Sequence, residues 1–149
     1  MNTCIPDLLI EQSIGIDNKV FGDAAKIRQS VFVQEQGIST DDEFDAFDAA
    51  AHHIVLYIDN VPIACGRLSV FDGQAKLCRI AVLPEHRKKG YASSVFEALL
   101  TVAKNNNIHF AFVHAQTQAT GFYGKFGFVA EGDVFLEVDI PHIRMSKRL

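Results

Sequence analysis

The sequence has no tryptophan, four prolines and three cysteines among its 149 residues. The cysteines are odd in number and show neither C-x-x-C nor Cys/His spacing, which argues against a disulfide framework and against a zinc site. Cys65 and Cys78 lie in apolar, strand-like segments. Together with Cys4, they indicate thiols in a reducing compartment.

Long hydrophobic runs are also missing, since no segment approaches the roughly 18 apolar residues of a membrane span. Residues 1–10 contain Pro6 and Asp7 and no cationic stretch, so they do not resemble a secretory signal. We therefore expect a cytoplasmic protein without a membrane partner. The length predicts a single domain over residues 1–149.

An excess of positive charge is absent, because the net charge is −4. This balance argues against nucleic acid as the main partner. The charge is nevertheless divided along the chain: residues 1–75 carry a net −8 and residues 76–149 a net +4. The division predicts either two kinds of partner surface or solvated faces that differ by chance.

Hydrophobic periodicity predicts a helix, three antiparallel strands, a helix, a strand, a helix and two strands. We expect the first helix to begin at an Asp23 N-cap and to end at Gly37, and Asp72-Gly73 to form a hairpin turn. Residues 39–50 are acid-rich and predict a surface loop or short helix. The order predicts an α/β (α+β) protein with one mixed sheet covered by helices.

Three cations occupy an unusual position before the second predicted helix. Arg87, Lys88 and Lys89 follow an apolar strand and precede Gly90, where the positive end of the helix dipole disfavours cations. Free backbone N–H groups and nearby cations can together bind a phosphate. The turn is either such a cradle or a solvated basic turn, and it matches neither a P-loop nor a dinucleotide fingerprint.

Four segments in order carry a resemblance to a known family. Arg87-x-x-Gly90-x-Ala92 resembles the [RQ]-x-x-G-x-[GA] pyrophosphate loop of the GNAT acyltransferase superfamily, and residues 121–128 are similar to its F-Y-x-x-x-G-F segment. Residues 27–36 and 139–143 resemble the ElaA-type branch. Lys88 departs from the glycine that is common at its position.

The resemblance implies a GNAT acyl-CoA N-acyltransferase fold, with a mostly antiparallel sheet of six to seven strands. It further implies direct transfer of an acetyl group from acetyl-CoA, as cosubstrate, to an amine. The backbone of the strand before the loop would bind the pantetheine arm, at Ile80, Ala81 and Val82. The loop and helix start would hold the pyrophosphate, at Arg87, Lys88, Lys89, Gly90, Tyr91, Ala92 and Ser93.

By the same resemblance Tyr123 is the general acid that protonates the coenzyme A sulfur; the alternative is a purely aromatic packing role. Three residues are candidates for the general base. Glu35 lies near the apolar stripe of the first helix with Arg28 two turns back, so it is either ion-paired or substrate-facing. His142 is the second candidate, because an unperturbed histidine titrates near pH 6.5. His114 is the third.

The acceptor is less defined than the donor. The acidic run of residues 41–45 either recruits a cationic acceptor, such as a polyamine or a basic peptide, or is a solvated loop. His52 and His53 are adjacent on a strand and point to opposite faces, so we expect no metal site. Homodimerisation is open. The alternatives to an N-acetyltransferase are an acyl-CoA-binding sensor module and an acyl-homoserine lactone synthase-like enzyme.

Overall fold

The computed structural model of the protein describes residues 7–149, so the prediction for Cys4 lies outside the described residues. Within these residues, seven strands form one sheet in the order β1-β2-β3-β4-β5-β7-β6. All neighbours are antiparallel except β4 and β5, which are parallel. The strands are β1 (Leu8–Ile14), β2 (His52–Ile58), β3 (Val61–Phe71), β4 (Gln74–Val82), β5 (Phe110–Gln116), β6 (Val129–Glu137) and β7 (Ile140–Arg148). The predicted α/β class and the six to seven strands are confirmed.

Four α-helices accompany the sheet within the described residues: α1 (Lys19–Arg28), α2 (Thr40–Glu43), α3 (Tyr91–Asn105) and α4 (Thr120–Gly124). A π-helical segment, Gln29–Glu35, continues α1 and ends before Gly37, whose φ of 75° stops it as predicted. The predicted N-cap is wrong. Asn18 caps α1 by accepting from the Phe21 N–H at 2.8 Å, whereas Asp23 lies inside the helix and accepts from the Tyr57 hydroxyl.

Two cores lie on opposite faces of the sheet, because alternate residues of a strand point to opposite sides. Ile54 and Leu56 of β2 pack in the core beneath α3, while Val55 and Tyr57 pack in the core beneath α1. Gly66 of β3 lets α3 approach closely, since a Cβ there would lie 2.7 Å from Val95 Cγ1. α1 packs against β1 to β4 on its face of the sheet.

Strand β1 was not predicted from the sequence. Its residues Leu-Leu-Ile-Glu-Gln-Ser-Ile do not alternate between apolar and polar, and Leu8, Leu9 and Ile14 are all exposed. The strand is held at the sheet edge by antiparallel pairing with β2 instead of by a buried face. No helix among residues 7–149 has the length and apolarity to cross a membrane.

Candidate functional site

The sheet opens between its two parallel strands. Within residues 7–149, β4 and β5 pair only at Ala75–Ala111 and Lys76–Phe112, although both strands continue well beyond these positions. A bulge at Arg79, with a left-handed φ of 56°, bends β4 away where its register with β3 shifts. The edge of β4 after the bulge therefore presents backbone N–H and C=O groups to the gap. This edge contains the predicted pantetheine residues Ile80, Ala81 and Val82.

The basic turn leads from β4 into α3 as the sequence predicts. Lys88 and Gly90 have left-handed φ values of 63° and 84°, and Gly90 is the N-cap of α3 without a capping side chain. The first N–H groups of a helix have no partner within the helix. At Tyr91, Ala92 and Ser93, these donors lie beside the cations of the turn, which is an arrangement suited to a phosphate.

Arg87 joins the turn to the π-helical segment. Its guanidinium donates two hydrogen bonds to Glu35, at 2.8 and 2.7 Å, and its Nε donates to the Val82 carbonyl at 2.9 Å. The hydrogen bonds from Arg87 hold the pKa of the Glu35 carboxyl below its usual value. The expected neighbour of Glu35, Arg28, is engaged elsewhere. Glu35 is thus ion-paired, but with Arg87.

Two cavities meet at the opening of the sheet. The smaller, of about 300 Å³, lies beside the turn and is lined by Val31, Glu35, Gln36, Ile80, Ala81, Val82, Arg87 and Ala92. The larger, of about 430 Å³, contains Tyr123, His142 and His114 in its lining. Gln36 and Ile80 line both cavities. The structure therefore brings Tyr123 and His142 together and places Glu35 on the other side of Ile80.

Tyr123 lies at one wall of the larger cavity. Its ring packs edge-on against Phe96 and Phe122, with centroid distances of 5.4 and 5.1 Å. Burial, with a smaller contribution from Cys78, raises the pKa of the Tyr123 phenol to about 12. The side chain therefore combines aromatic packing with a hydroxyl that stays protonated at neutral pH.

Two histidines and a glutamate also line the larger cavity. His114 Nδ1 donates to Glu137 at 3.1 Å, and this hydrogen bond lowers the pKa of Glu137 to about 2. His142 Nδ1 donates to the Ile140 carbonyl at 2.6 Å. Since a carbonyl only accepts, that bond leaves the lone pair of neutral His142 on Nε2, which lies 3.6 Å from Glu137. Phe135 stacks on the His142 ring.

The acid-rich segment is a structural ion-pair network. Glu43 and Asp48 are buried and accept from Arg28, each at 2.8 Å. Arg67 donates to Asp48 and Asp45, also at 2.8 Å, and Arg79 pairs with Glu43 and Asp45. The expectation of a solvated or cation-recruiting loop over residues 41–45 is therefore wrong for Glu43 and Asp45. In the run of residues 41–45, Asp41 and Asp42 remain exposed.

Sequence reasoning missed four charged residues of the larger cavity, Arg67, Lys76, Arg79 and Glu137. Glu137 follows an exposed stretch of β6, and its link to His114 spans 23 residues. Lys76 lies at the start of β4, on the side of the strand that lines the cavity. The alternation of Lys76 with the buried Ala75 and Leu77 was a signal that Lys76 lies on the sheet face opposite α3.

The backbone at Lys88 gives a stability prediction. A left-handed backbone conformation lowers the free energy of unfolding by about 1–2 kcal/mol at a non-glycine residue. Glycine avoids this cost, but part of the gain is lost because glycine raises the conformational entropy of the unfolded chain. We expect Lys88→Gly to raise Tm by about 1–4 °C. Lys89→Gly is the matched control, because it removes the same charge at a residue without a positive φ, and it should lower Tm. Equal shifts of Tm in the two variants would contradict the assignment of strain to Lys88.

Comparisons with known proteins agree with this geometry. A family model described as an acetyltransferase (GNAT) domain matches residues 25–149. The Bacillus subtilis N-acetyltransferase YjcF is 38% identical over 126 residues, covering 84% of this chain and 90% of that protein. An acyl-CoA N-acyltransferase from Pseudomonas aeruginosa has a TM-score of 0.85 and 28% identity, covering 95% of this chain and 99% of that one.

Escherichia coli ElaA shares the fold, with a TM-score of 0.84, 23% identity and coverage of 94% of this chain and 99% of ElaA. The family model and the Bacillus relative each extend over most of the chain. The chain therefore belongs to the GNAT family of acetyltransferases and has the acyl-CoA N-acyltransferase fold.

Proposed function

We propose that the protein transfers an acetyl group from acetyl-CoA directly to a primary amine within a ternary complex. The observation that carries this proposal is the free edge of β4 between the two cavities. On one side it leads to the basic turn, and on the other side it leads to Tyr123 and His142. A thioester lying along this edge would have its reactive carbon at the junction of the cavities.

The donor binds through backbone groups and cations. Ile80, Ala81 and Val82 offer peptide groups to the pantetheine arm, whereas residues 87–93 surround the pyrophosphate. Arg87 can contribute without losing Glu35, because a guanidinium has five N–H donors and three of them are engaged here. Glu35 thereby becomes a residue that orients Arg87 toward the donor.

The chemistry needs a polarised carbonyl, a neutral amine and a proton for the leaving thiolate. A backbone N–H after the β4 bulge polarises the thioester carbonyl. The amine nitrogen forms a bond to the carbonyl carbon as the carbon–sulfur bond breaks. The departing sulfur takes the proton of the Tyr123 hydroxyl, which burial keeps protonated.

His142 is the base in this proposal. Its Nδ1–H is fixed by the Ile140 carbonyl, so the Nε2 lone pair is the position that takes the amine proton. Glu137 is ionised and 3.6 Å from Nε2, where its charge stabilises the imidazolium that forms. Glu35 is less suited to this role, because its carboxylate is paired with Arg87 and lies in the smaller cavity.

Thiol release measured with acetyl-CoA against a panel of amines, amino acids, polyamines and peptides tests the proposal. Calorimetry with acetyl-CoA is run on the same protein. We expect binding in calorimetry and amine-dependent release of one thiol per acetylated product, identified by mass spectrometry. Binding without release for any acceptor would contradict acetyl transfer and favour an acyl-CoA sensor.

A further inference from the structure

Lys76 is a cation of the larger cavity whose role the transfer chemistry leaves open. Its cationic neighbours, Arg67 and Arg79, are both engaged by the acids of the buried network. Lys76 has no ion-pair partner within 4 Å among residues 7–149, and its ammonium acts on Glu137 from a greater distance. A half-buried cation in a cavity is stabilised by an anion that binds there.

The acids of the cavity do not favour a purely cationic acceptor. Glu43 and Asp45 are neutralised by arginines, and Asp42 is exposed at the mouth. Glu137 is therefore the carboxylate that remains near His142 for an amine. A polyamine would meet one such carboxylate together with the repulsion of Lys76.

Apart from Gln36 and Gln116, the remaining lining of the cavity is mainly apolar. Phe47 and Phe71 pack edge-to-face at 5.0 Å beside the cavity, and Phe47 is half exposed. The apolar lining consists of Phe32, Ile38, Phe47, Phe71, Ile80, Ala119, Val138 and Ile140. A cavity of about 430 Å³ lies at the lower end of the range for small-ligand pockets. It suits a compact molecule with an apolar side chain.

From these groups we infer that the acceptor is a free amino acid with an apolar or aromatic side chain. Its amine lies between His142 and Glu137, its carboxylate binds Lys76, and its side chain contacts the phenylalanines. Such a zwitterion places its ammonium next to Glu137 and its carboxylate next to Lys76. The inference rests on the proposed acetyl transfer and narrows its acceptor to one chemical class.

The decisive comparison is between phenylalanine and phenylalaninamide, which share the amine and ring but differ in the carboxylate. Both are assayed with acetyl-CoA at one pH near neutrality, and each rate is corrected for the fraction of that acceptor's amine that is neutral. We expect the kcat/KM of phenylalanine to exceed that of the amide by about 10- to 100-fold, the range of a hydrogen bond between charged groups. Lys76→Gln should reduce this preference to less than about twofold.

Lys104→Gln serves as the matched control, because Lys104 is exposed near the end of α3, away from both cavities, and should keep the full preference. Lys76→Glu should reverse the preference in favour of the amide. Equal rates for the two acceptors, or a preference that survives in Lys76→Gln, would overturn the inference while leaving acetyl transfer to amines in place.

A binding measurement separates the two proposals where no turnover is seen. We expect phenylalanine, but not its amide, to raise the Tm of the wild-type protein in saturating coenzyme A, and Lys76→Gln to lose the increase. Binding of this kind without thiol release would support the amino-acid site and contradict acetyl transfer. If phenylalanine neither binds nor is acetylated, the inferred acceptor class is contradicted.

Discussion

Replacing Tyr123 with phenylalanine is expected to lower kcat by about 10²- to 10⁴-fold and to leave the Kd for acetyl-CoA within about twofold. The substitution removes only the hydroxyl. The ring keeps its contacts with Phe96 and Phe122, so folding is preserved. What is lost is the proton for the departing sulfur. Single-turnover kinetics with calorimetric binding data separate the two effects.

Tyr57→Phe is the matched control. The Tyr57 hydroxyl donates to Asp23 at 2.6 Å in the core beneath α1, away from both cavities. We expect this variant to lose about 1–2 kcal/mol of the free energy of unfolding and to keep its kcat. An unchanged kcat in Tyr123→Phe would remove Tyr123 from the chemistry and leave it an aromatic packing role.

The pH dependence follows from the raised pKa of Tyr123. A phenol with a pKa of about 12 keeps its proton across the assay range, so its ionisation should cause no loss of rate up to about pH 10. Glu137, whose pKa is about 2, likewise stays ionised over that range. Any change of rate between these limits must therefore come from other groups, chiefly the base and the amine itself.

Elements with a local signal were predictable from the sequence. Asp72-Gly73 marks the β3–β4 hairpin, and the apolar spacing after Gly90 marks α3. The basic turn was recognisable because its three cations contradict the preference of a helix start. Each of these signals lies within a few residues along the chain, which is why they could be found without a structure.

The position of Glu35 shows how local reasoning can fail. Counting in α-helical turns places Glu35 on the same face as Arg28. The chain instead becomes π-helical from Gln29 to Glu35, and the wider turn changes the direction of each side chain. Glu35 consequently reaches Arg87, 52 residues away. The helix propensities of these residues do not predict the change from α-helix to π-helix.

The acid-rich segment was misjudged for a different reason. A run of acidic residues is typical of a solvated loop, unless the basic residues that pair with it are known. Arg67 of β3 reaches Asp45 from 22 residues away, and Arg79 of β4 reaches it from 34 residues away. Burial of a charge is normally compensated by such pairing, and the pairing is a property of the tertiary structure. Glu43, Asp45 and Asp48 are therefore internal partners of arginines, whereas Asp41 and Asp42 of the same segment stay exposed.

Replacing the proposed base, His142, is the second substitution for which we expect a large loss of kcat/KM. We expect His142→Asn to lower kcat/KM by about 10²- to 10⁴-fold near neutral pH, because the amine of the acceptor is then almost entirely protonated and needs a base. The ratio of wild-type to variant kcat/KM should fall by roughly tenfold for each pH unit as the pH approaches the amine pKa, because a neutral acceptor no longer needs a base. A full pH profile of kcat/KM measures this convergence.

Three variants identify the base by comparison. Glu137→Gln keeps the Nδ1 bond of His142 but removes the charge facing Nε2, so it should show a smaller loss with the same dependence on pH. Glu35→Gln should alter the KM for acetyl-CoA, through Arg87, and retain the parent profile. His114→Asn should resemble Glu137→Gln, because His114 acts on Nε2 only through that carboxylate. A parent-like profile in His142→Asn together with a flattened one in Glu35→Gln would transfer the role of base to Glu35.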